Sequence, residues 1–390
     1  MISIESIAPN LRIATRYTGN LRTRTFLSDF KAVRPKHFIR AEDSVRQLAK
    51  LRMRMKNHPE NWNYETIEAV VTRFSTAGAK IQCRGVEIED YVKSDDQELT
   101  FFKDGEVPNL DQRMYFYRDR ARTAMEQLYA DRPMTSEHLV HVSCTGYISP
   151  NVAQEFASRW SQEKDVTVTS AYNMGCFAAL PAVRIARGLV NAEERRSTVD
   201  VVHQEICSLH FNPFTLEAEQ IVVQSLFGDG HIRYSLSGDA HGDALEILAM
   251  KEILVPETSD LMKWELGPKQ FSMRLDREVP AKIQGAIRGL LMKMTIAAGV
   301  WIDDDVIFAV HPGGPKIIEA IEEELKLDRS QTQESHDVLR DYGNMSSATL
   351  PQIWQKILDN PDRRHGQLVV SLGFGPGLTV SGAIYRLHRK

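Results

Sequence analysis

The sequence predicts an α/β protein in which one strand, turn, helix and strand unit occurs twice. Segments of the second half echo segments of the first in the same order: EHLVHVSCTGYISPN (137–151) with DDVIFAVHPGGPKI (304–317), AYNMGCFAALPAVRIARGLV (171–190) with DYGNMSSATLPQIWQKIL (341–358), and VDVVHQEICSL (199–209) with GQLVVSLGFGPGL (366–378). Their spacing is nearly constant, since His311 lies 167 residues after Cys144, Pro351 170 after Pro181 and Val369 168 after Val201. A fixed offset kept over three segments argues for duplication. The strand interiors, Val306 to Val310 and Leu368 to Val370, are apolar throughout, as expected of a sheet covered on both faces.

Taken in chain order, the region from 40 to 130 reads as largely helical. Within it, residues 114–132 put Met114, Tyr117, Ala121, Ala124, Met125 and Leu128 on one helical face, a stripe expected in the core. HLVHVSC (138–144) reads as a strand. His138, His141 and Cys144 recur there at every third position, but alternate strand residues face opposite sides, so no metal site is expected. A helix follows over Leu180 to Val190, and a strand over His231 to Leu236 closes the first copy. The boundary is placed there, giving halves 1–237 and 238–390. The second copy repeats the order with a strand at Val306 to Val310, a helix from Thr349 to Leu358 and a strand at Leu368 to Leu372.

Composition narrows the class of function. A chain of 390 residues with 42% hydrophobic content can bury two cores, and 48 basic against 52 acidic residues give no reason to expect nucleic acid. The four cysteines, Cys83, Cys144, Cys176 and Cys207, are widely spaced, so neither a disulfide framework nor a zinc ribbon is favoured. The first twenty residues do not read as a leader, and no stretch reaches the roughly 18 apolar residues that a membrane helix needs. The expected location is the cytoplasm.

Cys176, in GCFAA just before the expected helix, is the candidate nucleophile. Unpaired amides and partial positive charge at a helix start favour a thiolate, and Gly175 beside it lets a substrate or another backbone approach closely. His311 in HPGGPKI and Asn344 in YGNMSSATL are candidate partners. Cysteine and histidine can stabilise each other as an ion pair, while a histidine N–H and an asparagine amide can hold developing negative charge on one oxygen. Each residue alone has a structural reading: a packed cysteine, a turn histidine before proline, and an asparagine cap. The fragment GDG (228–230) is too short for a phosphate loop.

GCFAA around Cys176, HPGGP from His311, YGNMSSA around Asn344, GFGPGLT (373–379) and SLFGDG (225–230) together resemble the signature segments of type III polyketide synthases, the chalcone synthase-like members of the thiolase superfamily. The 33-residue step from His311 to Asn344 is kept as well. The resemblance runs from about residue 135 to the end. It implies the thiolase fold, two duplicated halves in a five-layered α/β/α/β/α sandwich, working as a homodimer. It also implies that Cys176 accepts an acyl group from a thioester, and that His311 keeps the cysteine ionised. With Asn344, His311 would stabilise the enolate formed when a malonyl thioester loses carbon dioxide. Phe211, Met273, Cys144, Lys316, Gly373, Gly375 and Pro376 fall at substrate-binding positions: Phe211 and Met273 at the gate, Cys144 on the pocket wall, Lys316 at the pantetheine entrance. Neither a cofactor nor a metal is implied; the substrates would be acyl thioesters of coenzyme A or of acyl carrier protein.

The expected activity is therefore acyl transfer by Claisen condensation, giving a polyketide such as an α-pyrone or resorcinol. A second reading follows from similarity to stand-alone ketosynthases that join two carrier-bound β-ketoacyl chains into an α-pyrone, with the basic stretch RQLAKLRMRMK (46–56) as a surface for an acidic carrier or simply a solvated helix face. Arg73, Lys80 and Arg84 lie near the family's coenzyme A contacts. A papain-like cysteine hydrolase shares the residue trio but not the local sequence context, and a non-catalytic partner protein would have little use for the complete trio.

Overall fold

The computed structural model describes residues 24–390 apart from 77, 79, 161–164 and 193–196; the N-terminal stretch read above for a leader lies outside them. In chain order the first half runs β1 (Phe26–Val33), β2 (His37–Arg40), α1 (Ala41–Met53), α2 (Tyr64–Phe74), β3 (Cys83–Val86), α3 (Leu110–Leu128), β4 (His138–Ser143), α4 (Val152–Trp160), β5 (Thr167–Tyr172), α5 (Ala179–Ala192), β6 (Val199–Glu205), α6 (Ala218–Leu226) and β7 (Gly230–Ser237). The second runs β8 (Ala244–Leu254), β9 (Met262–Leu266), β10 (Phe271–Leu275), α7 (Val279–Ala298), β11 (Ile307–Val310), α8 (Pro315–Leu325), α9 (Gln333–Tyr342), α10 (Thr349–Asp359), β12 (Leu368–Gly375) and β13 (Thr379–His388).

The duplication expected from the repeat is visible in the strand order. In the first half β4 pairs parallel with β6, and β6 antiparallel with β7; in the second β11 pairs parallel with β12, and β12 antiparallel with β13. Each half adds its first strand beyond this set, β1 beside β7 and β8 beside β13. Those two first strands meet at Phe26 opposite Glu246 and Leu27 opposite Leu245, which joins the halves into one nine-stranded sheet.

Helices from the two echoing segments fill the space between the half-sheets. α5 packs on β4, β6 and β7 and reaches β13, while α10 packs on β11 and reaches β7 and β1. α3 and α4 cover the outer face of the first half, and α7, backed by α8, covers that of the second. The five layers implied by the resemblance are thus present. Strand β6 shows why its sequence is apolar on both sides: Val199 and Val201 join the central core with α5, and Val202 joins the outer core with α3. Trp354 of α10 is buried in the middle layer, where its indole N–H donates to Ser371 Oγ at 2.8 Å, so its one polar atom is satisfied.

The stripe expected on α3 is buried at all six positions. Its start is fixed by a capping box, in which Asn109 Oδ1 accepts from the Gln112 amide and Gln112 Oε1 from the Asn109 amide, each at 2.9 Å. The expectation of a largely helical region from 40 to 130 needs correcting, because only α1, α2 and α3 are helical beyond single turns and the stretch between α2 and α3 is mostly loop. A buried carboxylate organises that loop: Asp90 accepts from the amides of Thr100, Phe101 and Phe102 at 2.8 to 2.9 Å. Its apolar residues Val86, Ile88 and Phe102 are in the core without helical spacing.

Candidate active site

Cys176 lies in the turn between β5 and α5, three residues before the helix begins. Gly175 before it has φ +86°, and a Cβ there would meet Pro376 Cδ at 2.3 Å. The GFGPGLT segment therefore closes directly on the cysteine turn, and only glycine permits both the backbone angle and the contact. Gly373 and Gly375 support the same turn: a Cβ at Gly375 would meet Phe177 Cδ1 at 2.2 Å, and one at Gly373 would touch Phe177 and Leu180. Both back the turn that carries Cys176, and Pro376 lines the chamber described below.

His311 follows β11, held by its backbone amide donating to Leu372 O at 2.8 Å. Asn344 is clamped by the SLFGDG segment, its amide donating to Leu226 O at 3.0 Å and its carbonyl accepting from the Gly228 amide at 2.9 Å. That clamp explains a motif that could not be read as a phosphate loop. Asn344 Oδ1 accepts from the Ser346 amide at 2.9 Å and from Thr349 Oγ1 at 3.3 Å, which fixes the amide plane. Asn344 Nδ2 and both ring nitrogens of His311 are buried without a hydrogen-bond partner among the described residues. Leaving a buried donor unpaired costs about 1–3 kcal/mol, so such groups in a native fold mark a site built for something that arrives later.

Cys176, His311 and Asn344 line one cavity of about 670 Å³. On its other side Cys176 opens on a chamber of about 50 Å³ lined by Cys144, Cys207, Phe211, Trp264 and Phe271, room for only a few waters. Helix α6 is the partition: Val222 and Leu226 face the cavity, Val223 and Gln224 the chamber, and Phe227, Met273 and Cys176 line both. Phe211 and Cys144 line the chamber, Met273 both spaces and Lys316 the outer cavity. Lys80 at the same rim pairs with Glu319 at 2.6 Å. Arg84 is buried, donating to the carbonyls of Gln224 and Phe227, and Arg73 lies against the Phe74 ring.

The thiol is not poised as an ion pair. Its hydrogen-bond partner is the Ser346 hydroxyl at 3.8 Å, and burial pushes it up to about 12, against which that bond acts. Burial likewise holds the His311 imidazole down to about 3. Burial thus favours the neutral form of each group, whereas the helix start and an imidazolium beside the sulfur would favour the thiolate expected from the sequence.

Sequence reasoning missed the support behind the site. Glu205 is buried between the copies, accepting from the Cys144 amide at 3.0 Å, Thr145 Oγ1 at 2.7 Å and the Ser347 hydroxyl, with its pKa raised by burial. Ser347 also bonds His203 Nδ1 at 3.0 Å. Cys144 Sγ accepts from the Gly175 amide at 3.1 Å, and Trp264 Nε1 donates to Cys144 O at 2.6 Å. These residues lie outside the quoted motifs or are unremarkable within them. The His138, His141 and Cys144 spacing is structural, since His141 bonds Gln204 at 3.0 Å and Tyr172 at 2.6 Å. No cluster of three or more potential ligands that could hold a metal ion occurs among the described residues.

Burial also sets an acid limit. It lowers His203, His210 and His311 to about 3 and His141 to about 4. Below the ordinary histidine value of 6.5 the unfolded chain binds protons at these positions and the folded chain does not, so stability falls as pH drops. Burial raises Asp229 to about 6 and raises Glu205, and these two act in the opposite sense. The four histidines outweigh these two carboxyls, so stability should fall between pH 6.5 and 5.5. Urea midpoints at those two pH values should show it, and a flat profile would mean that the histidines are not held neutral.

A cysteine from one half and two unpaired donors from the other thus meet on a duplicated α/β fold. The chain belongs to the chalcone and stilbene synthase family: residues 114–238 match the family's N-terminal domain and 246–388 its C-terminal domain, together more than two thirds of the chain. This replaces the cysteine-hydrolase reading. The chain is 32% identical over 257 residues to "Probable polyketide synthase 1" of Dictyostelium discoideum, a match covering 64% of this chain and 8% of that protein. It is 28% identical over 258 residues to "Type III polyketide synthase C" of Arabidopsis thaliana, covering 64% and 67%. The chain therefore spans a small part of the first relative and about two thirds of the second.

Among solved structures, PKS-I from the brown alga Ectocarpus siliculosus superposes with a TM-score of 0.81 at 21% identity, covering 93% of this chain and 98% of that one. The 1,3,6,8-tetrahydroxynaphthalene synthase of Streptomyces coelicolor A3(2) gives 0.76 at 22% identity, covering 94% and 100%. Both likenesses establish the fold.

Proposed function

We propose that the chain condenses acyl thioesters through an acyl-Cys176 intermediate, as a type III polyketide synthase. The observation that carries this reading is the set of buried, unpartnered donors of His311 and Asn344 on the wall they share with Cys176. With burial favouring the neutral thiol and imidazole, His311 acts as general base: it takes the Sγ proton as sulfur attacks the thioester carbonyl, the C–S bond of the carrier breaks, and the leaving thiolate recovers that proton. In the second step a malonyl thioester loses carbon dioxide. The electron pair of the broken C–C bond becomes an enolate, whose oxygen accepts from the Asn344 amide and a His311 N–H. Its carbon then attacks the acyl carbonyl and expels Cys176 Sγ, lengthening the chain by two carbons. Fixed donors away from water make the enolate accessible, since they need no reorganisation as the charge develops.

Coenzyme A is the favoured carrier, with Lys316 and Lys80 at the rim for its phosphates. The stretch 46–56 supports a carrier-protein surface poorly. Arg52 is buried against Leu48 O and Gln224, Arg54 bonds Ser94 O, and Arg46, Lys50 and Lys56 pair with Asp43, Asp95 and Glu106. An α-pyrone or resorcinol product, a homodimer and a cytoplasmic site complete the reading. Strand β5 is one edge of the sheet, β11 being the other, and Tyr147, 60% exposed, lies near it, a surface suited to a second copy. The cytoplasm suits four free thiols; no helix among the described residues is long and apolar enough to cross a membrane.

Intact-protein mass spectrometry tests the assignment. The same β-ketoacyl group, offered on coenzyme A and on a carrier protein, should load Cys176 from coenzyme A at least as fast. Loading from the carrier alone would select the stand-alone pyrone-forming ketosynthase instead.

A further inference from the structure

Helix α7 buries Ile283, Ile287, Leu290 and Met294 against the second half-sheet, but its outward side is apolar too where the helix ends. Met292 is 59% exposed, Ile296 75%, and Trp301, two residues past the left-handed Gly299 cap, 94%. Of the eight large apolar side chains exposed among the described residues, these three fall within ten positions. An isolated exposed apolar residue needs no cause, whereas a cluster marks a surface that something covers.

The same end of α7 is negative. Its last turn holds no basic residue, so the partial charge on its unpaired carbonyls is not offset from within the helix. Of the three aspartates that follow, Asp305 pairs with Arg364 at 2.7 Å while Asp303 and Asp304 are exposed. Lys293 is the single basic residue between 289 and 305. A segment suited to this patch is apolar and basic.

Residues 1–23, which precede the described part of the chain, have that composition: Ile2, Ile4, Ile7, Leu11 and Ile13 are interspersed with Arg12, Arg16 and Arg22, against one acidic residue, Glu5. They also enter the fold on the right side. Arg24 donates to Glu246 at 2.6 and 2.9 Å. Leu245 and Ile247 on either side of Glu246 face the central core, so Glu246 shares with Leu248 the outer face of β8, the face that α7 covers. From Glu246 a path of contacts leads to the end of α7: Glu246 bonds His388 Nε2 at 2.8 Å, the His388 ring meets His365 at 5.2 Å, and Arg364 beside it holds Asp305, four positions after Trp301. Fifteen extended residues span about 50 Å, enough to follow that path and leave Ile2, Ile4 and Ile7 for the patch.

We propose that the chain's own N-terminal segment, residues 1–23, docks on the end of α7, with its isoleucines on Met292, Ile296 and Trp301 and its arginines toward Asp303 and Asp304. Strand β5, the edge offered to a second copy above, belongs to the other half of the protein, so the two surfaces do not compete.

The test uses the full chain and reads acrylamide quenching of Trp301, taken as the difference in emission between the unaltered protein and Trp301→Phe. The quenching constant should be at least about threefold lower in the unaltered segment than in a chain carrying Ile2→Asp, Ile4→Asp and Ile7→Asp together, in which the indole is as exposed as the rest of the fold leaves it. A second reading is independent of that variant. Trypsin cleavage after Arg12 and Arg16, followed by intact mass, should be at least about tenfold faster in Ile296→Asp than in the unaltered protein, with far-ultraviolet circular dichroism unchanged as the check on folding. Trp301 fully quenched in the unaltered chain overturns the proposal, as does equal cleavage with and without Ile296→Asp. Shielding that survives the three N-terminal substitutions also overturns it, and its loss on dilution would then assign the face to a second copy. Trp301 shielded only after vesicles of anionic phospholipid are added would assign the face to a lipid surface, against the proposal.

Discussion

Replacing Cys176 by alanine is expected to abolish acyl loading and to lower product formation by a factor on the order of 10⁴ or more, while decarboxylation of a malonyl thioester survives. The two halves of that result have separate causes. No other group is placed to carry the acyl chain: Cys144, the other thiol closest to the turn, spends its sulfur as an acceptor for the Gly175 amide, and burial raises its pKa well above the ordinary value. The donors that stabilise an enolate are held by the other half of the protein. Asn344 is fixed through Leu226, Gly228 and Ser346, and His311 through Leu372, so removing the sulfur leaves them in place. Carbon dioxide release from malonyl thioester, followed beside mass-spectrometric loading, reads both. Loss of decarboxylation in parallel with loading would show that the cysteine is needed for the enolate as well, against the division proposed here.

The converse experiment is Asn344→Asp. An aspartate fits the same space and keeps an oxygen to accept from the Ser346 amide and Thr349 Oγ1, so the turn before α10 should fold unchanged. What disappears is the unpaired Asn344 donor on the cavity wall, and a carboxylate stands in its place. Loss of a single donor of this kind costs about 10²–10³ in rate, and the added charge acts in the same direction. Decarboxylation and product formation should therefore fall together by at least that factor, with acyl loading of Cys176 within about tenfold of the unaltered protein. A variant that loaded poorly and decarboxylated normally would reverse the roles assigned to the two partners.

Much of this was legible in the sequence because the signals are local. The α3 stripe, the apolar strand interiors and the echo between 171–190 and 341–358 depend only on spacing, and the fold keeps all three. The catalytic trio was legible because each member sits in a motif with glycine or proline neighbours that fix a turn. The state of the thiol was not. A helix start can be read from neighbouring residues, but desolvation of Cys176 is produced by walls from α6, β10 and the second half, and that term decides its pKa. Gly373 and Gly375 close on Phe177 and Leu180 behind the cysteine turn, a placement the sequence does not give, because a glycine-rich run beside a cysteine looks the same whether it faces a ligand or the back of a ring. Residues of α6 were invisible as lining because one short helix serves two spaces with opposite faces.

The turn of Cys176 and the turn of Ser346 are separated by 170 residues, the same interval that separates Pro181 from Pro351, and their side chains touch at 3.8 Å. They are the same position in the two copies, meeting where the approximate twofold axis of the duplication passes. A pair of identical units would have to place identical groups on both sides of that axis, two thiols facing each other. Joining the units in one polypeptide frees the two places to differ, so that one bears a thiol and the other a hydroxyl that accepts its hydrogen bond. A single cysteine turn per chain is thus a form of broken symmetry, in which the second copy supplies His311 and Asn344 in place of a thiol of its own.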